Sequence, residues 1–147
     1  MRLWHKDLIA VLPDNQLRGQ WRECCLIAKG LRDGTLNHVL VNKVKDFSAL
    51  HFVTYTAMVY NEMKRRGFKA QVRAFTQHLN DDNFRVFVEN VKLEMTAKSF
   101  NHFHLFEGWH NDRYLMQCYY NLQEKYDCGG ISEDEWQRIE VFMRDRV

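Results

Sequence analysis

The sequence predicts a compact, mainly α, single-domain fold with long loops. Three observations carry this. Only Pro13 and seven glycines interrupt 147 residues, so little breaks helical runs. Apolar residues recur at three- and four-residue spacing in most segments. Helix start and stop residues bracket those segments. One domain over residues 1–147 follows from the length, since domains run about 100–200 residues.

The elements follow in chain order. Pro13-Asp14 reads as a helix entry with Asp14 as N-cap. Leu17, Trp21, Cys24, Ala28 and Leu31 form its stripe, and Gly34 is its stop. A short extended piece is expected over His38 to Val41. Ser48 caps a second helix with the stripe Leu50, Val53, Ala57 and Tyr60. It ends at KRRGF, with basic residues in the last turn, Gly67 beyond the end and apolar Phe68 after it. A further helix is expected from Asp82 to Lys98, carrying Phe84, Phe87, Val88, Val91 and Met95. Asn111 or Asp112 starts another, with Leu115, Cys118, Tyr119, Leu122 and Tyr126 inward and Gly129-Gly130 at its end. Last, Ser132 and Glu135 make a capping box ahead of Trp136, Ile139 and Met143.

Composition narrows the function classes. Hydrophobic residues make up 46% and charged residues 27%, which excludes a disordered chain. No apolar run approaches the roughly 20 residues of a membrane span. MRLWHKDL is interrupted by Lys6 and Asp7, unlike a signal peptide, so no membrane association and a cytoplasmic location are expected. A net charge of +2 does not by itself announce nucleic acid. Cys24, Cys25, Cys118 and Cys128 make no C-x-x-C pair and read as reduced, partly buried thiols.

Glu23 stands out. At 100° per residue it lies off the apolar stripe. Its neighbours three and four residues away are Gly19, Gln20, Leu26 and Ile27, so the helix offers no ion-pair partner. Arg18, Arg22 and Lys29 share another flank, and Gly19 leaves room for a ligand. Such a carboxylate suits acid/base work; a solvated acid, or one paired with a distant cation, is the plainer reading.

The N-terminal residues Leu8, Leu12, Asp14, Leu17 and the aromatic-Arg-Glu triplet Trp21-Arg22-Glu23 are in the order seen in a known family. Gly34, His38 and Val39 follow a Gly-His-Val pattern. Lys64, Arg66, Gly67 and Phe68 follow a K-R-G-F helix end with Arg65 added. Leu122, Glu124 and Lys125 follow an L-x-E-K segment. Together these residues resemble the pyrimidine-dimer DNA glycosylases, the phage endonuclease V family, and within it a bacterial branch beginning MRLWH.

The resemblance implies an endonuclease V-like helical fold and a DNA glycosylase with a coupled abasic-site lyase. It implies the N-terminal α-amine, here that of Met1, as nucleophile and Glu23 as acid/base and charge stabiliser. Arg2, Arg18, Arg22 and Lys125 would contact phosphates, with Gln16 and His38 near the sugar. The partner would be double-stranded DNA carrying a damaged base or an abasic site; a monomer is expected, with no cofactor and no metal. Residue 2 is Arg where the family has a small residue exposed by Met removal, so Met1 is expected to remain. Gln16 replaces a family histidine, and SEDEWQRIEVFMRDRV replaces a basic, aromatic tail.

Two alternatives stand beside this reading. One is a non-catalytic nucleic-acid-binding module of the same fold. The other is a metal-dependent enzyme using His102, His104 and His110 with Glu107. Phe100, Phe103, Phe106 and Trp109 read as core aromatics or as stacking platforms for an extruded base. Lys64, Arg65 and Arg66 read as helix-end stabilisers or phosphate contacts. The tyrosines 114, 119, 120 and 126 read as core; His51 and His78 carry no assignment.

Overall fold

The computed structural model describes residues 1–96 and 104–146. A 3-10 helix, Lys6–Val11, leads into α1 (Asp14–Asp33). A second 3-10 turn, Asn42–Asp46, precedes α2 (Ala49–Arg65), followed by α3 (Arg73–Thr76), α4 (Asp81–Lys92), α5 (Asp112–Asp127) and α6 (Glu133–Asp145). No strand occurs among the described residues. The fold is mainly α, as the periodicity and punctuation require.

Helix α2 is the centre. It packs on α4, α1 and the first 3-10 helix, and residues 52–59 are buried without a break. A one-sided stripe therefore understates it: Leu50 is exposed, while Phe52, Tyr55 and Met58 are enclosed. The first half of the chain supplies much of the core through Leu3, Leu8, Leu12, Leu17, Ile27 and Tyr55.

Several ends differ from expectation. Pro13, not Asp14, occupies the α1 cap position, and the Asp14 amide donates to Glu135 Oε2 at 2.8 Å. Residues 38–41 are a turn, closed by Val41 and Asn42 amides on the His38 carbonyl, rather than extended. Ser48 makes no side-chain cap. Helix α4 begins at Asp81, capped by the Asn80 side chain, and stops at Lys92. Glu94 there takes φ of 51° and Met95 N–H returns to the Asn90 carbonyl, so the helix cannot continue to Met95; Lys98 lies outside the described residues. Phe84 on its outer face is exposed and Phe87 buried. Asn111 caps α5, and the capping box of Ser132 and Glu135 is present on α6.

The KRRGF end is structural. Gly67 has φ of 79°, letting Phe68 N–H reach the Met63 carbonyl. Arg66 donates to Glu62 (2.7 Å), Asp14 (3.0 Å) and the carbonyls of Leu12 (2.7 Å) and Ala10 (3.2 Å). Arg65 also pairs with Glu62. Arg66 thus ties the end of α2 to the chain just before α1. This fixes where the N-terminal segment enters the fold.

Candidate active site

The first four residues cross α1 with no secondary-structure partner of their own. Their anchors are Leu3 and Trp4, both buried. A buried backbone needs partners for its amides and carbonyls, and side chains of three helices supply them. Gln20 and Glu23, three residues apart, share the α1 face under the segment. The Arg2 amide donates to Glu23 Oε2 at 3.1 Å and the Trp4 amide to Gln20 Oε1 at 2.7 Å. Gln20 Nε2 donates to the Arg2 carbonyl at 2.9 Å, and the Tyr55 hydroxyl of α2 to the Trp4 carbonyl at 2.6 Å. The Tyr114 hydroxyl of α5 donates to the Leu3 carbonyl. Gln20 is 1% exposed, and the bonds to the Trp4 amide and carbonyl are shielded from water.

This arrangement directs the start of the chain at Glu23. The Met1 α-amine lies 3.9 Å from Glu23 Oε1, at ion-pair distance, with the two side chains 24% and 31% exposed. The acid that lacked a partner on its own helix has two nitrogens of another segment beside it. A Cβ added at Gly19 would meet nothing closer than the Arg22 guanidinium at 3.8 Å, so the surface one turn before Glu23 is open. A nucleophile, a carboxylate and an open approach are thereby grouped, which suits attack on an electrophilic carbon with proton transfer.

The other predicted residues are dispersed. Arg22 is exposed on α1. Arg18 stacks on Phe68 at 4.6 Å and donates to Asn15 at 3.0 Å. Arg2 turns its guanidinium over the Trp4 ring, 5.1 Å from the centroid. Gln16 has a buried Oε1 without a hydrogen-bond partner. His38 accepts from the Leu40 amide within its own turn. Lys125 is exposed in the last turn of α5, about 16 Å along that helix from Tyr114.

Among the histidines, His110 is buried and accepts the Lys6 amide at Nδ1 (3.0 Å), while His104 is exposed beside Glu107. They occupy different environments, and His102 lies outside the described residues. No group of three His, Cys, Asp or Glu that could hold a metal ion occurs among the described residues. Phe106 and Trp109 are buried in the core; Phe100 and Phe103 lie outside the described residues. All four cysteines are free. Two of the acids opening α6 are engaged, Glu135 in its box and on Asp14, and Glu133 with Tyr126 and Gln137.

Gln20, Tyr55 and Tyr114 were not singled out from sequence as site residues. The available signal was weak: a glutamine one turn before Cys24, and a tyrosine inside the α2 apolar run. Their common target is a backbone 16 to 111 residues away, which no local pattern reveals.

Behind the segment, His5 and His110 stack with ring centroids 5.2 Å apart. His5 Nδ1 accepts the Asp7 amide at 3.1 Å. Burial pushes His5 from 6.5 down to about 4, opposed by Asp7 and reinforced by Lys6 and Arg146; burial also holds His110 well below its ordinary value. The unfolded chain therefore binds protons below pH 6.5 that the folded chain refuses. Stability is complete above pH 6.5 and declines toward pH 4, by about 3 kcal/mol from His5 alone. Urea midpoints measured from pH 7.5 to 4.5 are expected to fall steadily below 6.5, and a flat profile would contradict the buried neutral pair.

Comparison with known proteins adds one finding. A family model described as pyrimidine dimer DNA glycosylase matches residues 1–76, from the N-terminal segment through α3. Searches of curated proteins and of solved structures gave no match. No helix among the described residues is long and apolar enough to cross a membrane.

Proposed function

The chain belongs to the pyrimidine dimer DNA glycosylase family, and we propose that it removes the damaged base and then cleaves the abasic strand, using the Met1 α-amine and Glu23. The observation that carries this is the clamped N-terminal segment, with its amine 3.9 Å from the Glu23 carboxylate. An α-amine is far less basic than a lysine side chain, so a useful fraction is unprotonated near neutral pH.

In the proposed reaction the free amine attacks C1′. The glycosidic bond breaks and its electron pair leaves with the base. Glu23 stabilises the positive charge developing on the sugar, takes the proton from the amine and returns it to the ring oxygen O4′, so that the C1′–O4′ bond opens and the C1′=N Schiff base forms. The resulting Schiff base withdraws electrons from C2′, a C2′ proton is lost, and β-elimination expels the 3′ phosphate. Reaching C1′ in a duplex requires displacing a nucleotide, which costs least at a damaged step. Arg18 and Arg22, on the flank of α1 beside that of Glu23, are the proposed phosphate contacts, with Gln16 at the sugar. The Arg2 guanidinium would contribute from its place over Trp4, and His38 and Lys125 from outside α1.

A second assignment of the nucleophile has its own observation. The nitrogen of residue 2 is nearer to Glu23, at 3.1 Å, than that of Met1. In a chain lacking Met1, the amine would be that of Arg2. Borohydride trapping on a duplex with one abasic site, followed by peptide mass mapping, tests both. An adduct on the Met1 nitrogen is expected. An adduct on Arg2 would move the nucleophile by one residue. No adduct, with salt-dependent binding retained, would leave a DNA-binding module without lyase chemistry.

A further inference from the structure

Helix α1 (Asp14–Asp33) carries two adjoining stripes that are exposed at Arg22, Leu26 and Lys29. One is basic, Arg18, Arg22 and Lys29. The other runs Gly19, Glu23, Leu26 and Gly30 at the i, i+4, i+7, i+11 spacing of a single helix face. Leu26 is the large apolar residue of the second stripe. It is 56% exposed, the most exposed apolar side chain of α1. It lies one turn beyond Glu23, where Cβ atoms three residues apart are about 5–6 Å from one another. Exposed Arg22 and Lys29 are its neighbours at four and three residues. Helix formation does not explain it, since lysine, glutamine or glutamate would serve equally at a solvated position.

On the catalytic reading above, the reacting sugar lies against Glu23 and the amine, with its phosphates on the basic stripe. On that placement the attached base is within reach of the neighbouring stripe, since Leu26 is one turn from Glu23. Gly19 leaves open space on one side of Glu23, and Leu26 offers the only large apolar side chain of that stripe on the other. A pyrimidine dimer joins saturated ring carbons through a cyclobutane, so it has lost planarity and stacking and shows an aliphatic face. A branched aliphatic side chain matches that face better than a charged one.

Resting on the catalytic reading above, we propose that Leu26 is a specificity-determining residue that packs against the saturated face of the lesion. It discriminates dimer-containing DNA from DNA with no base at that position.

The test compares two duplexes of one sequence, one with a single pyrimidine dimer and one with an abasic site. Leu26→Gln, close in volume and on an exposed position, is expected to lose about tenfold in kcat/KM on the dimer, in the range for one lost apolar contact. Its abasic trapping and melting temperature should match wild type, and Leu26→Met should restore most dimer activity. An equal fall on both duplexes, or no fall on either, overturns the proposal. If wild type traps abasic DNA but leaves the dimer intact, the lesion contact is overturned while the lyase reading stands. A wild type that traps no abasic DNA overturns that reading and this proposal with it.

Discussion

Glu23→Gln is expected to lower single-turnover cleavage of a dimer-containing duplex by about 10²–10⁴-fold, the range for losing a positioned general acid/base. Glutamine has the same size, and its carbonyl oxygen can still accept the Arg2 amide that Glu23 now holds at 3.1 Å. The clamp on the N-terminal segment is therefore retained. The negative charge is lost, and with it stabilisation of the cationic sugar and acceptance of a proton. Melting temperature should change little, because the side chain is about one-third exposed. Wild-type turnover by a folded Glu23→Gln variant would remove the carboxylate from the mechanism.

Gln20→Ala should produce the largest loss of stability. The change strips the Trp4 amide and the Arg2 carbonyl of their partners and takes one acceptor from the Tyr55 hydroxyl. Unpaired buried polar groups cost about 1–3 kcal/mol each, so a loss of about 4 kcal/mol is expected by urea unfolding. The functional consequence is separate. With the segment released, the amine is no longer held at Glu23, and abasic trapping should fall in preparations that remain folded. A variant that unfolds at the wild-type midpoint, or traps at the wild-type rate, would show that the clamp does not position the amine. Tyr55→Phe gives a milder check, since it removes only the hydroxyl bonds to Trp4 and Gln20.

Much of the fold was legible because helix signals are local. Gly34 and Gly67 end α1 and α2 in left-handed conformations, and Ser132 with Glu135 opens α6, each readable within a few residues. The structure departs from the local signals where distant contacts decide or where one residue takes an unusual backbone conformation. The Pro13 entry is completed by Glu135, 121 residues from Asp14. Tyr55 is enclosed because α2 is surrounded by other elements, which a one-sided stripe could not express. The stop of α4 at Lys92 rests on an unusual backbone conformation at Glu94, a residue type with no strong preference for it.

The sequence by itself determined the helical class, most helix ends and the isolation of Glu23 on its helix, because each depends on residues within one or two turns. The ordered motifs around Trp21-Arg22-Glu23 also pointed to the family. Only the tertiary structure decided what stands beside that acid. The first residues have no periodic pattern of their own, and their course is set by Gln20, Tyr55 and Tyr114 bonding their backbone while Leu3 and Trp4 are buried. Backbone hydrogen bonds look alike at every residue. Which side chains take them is settled by packing of three helices, and that packing carries the amine to Glu23.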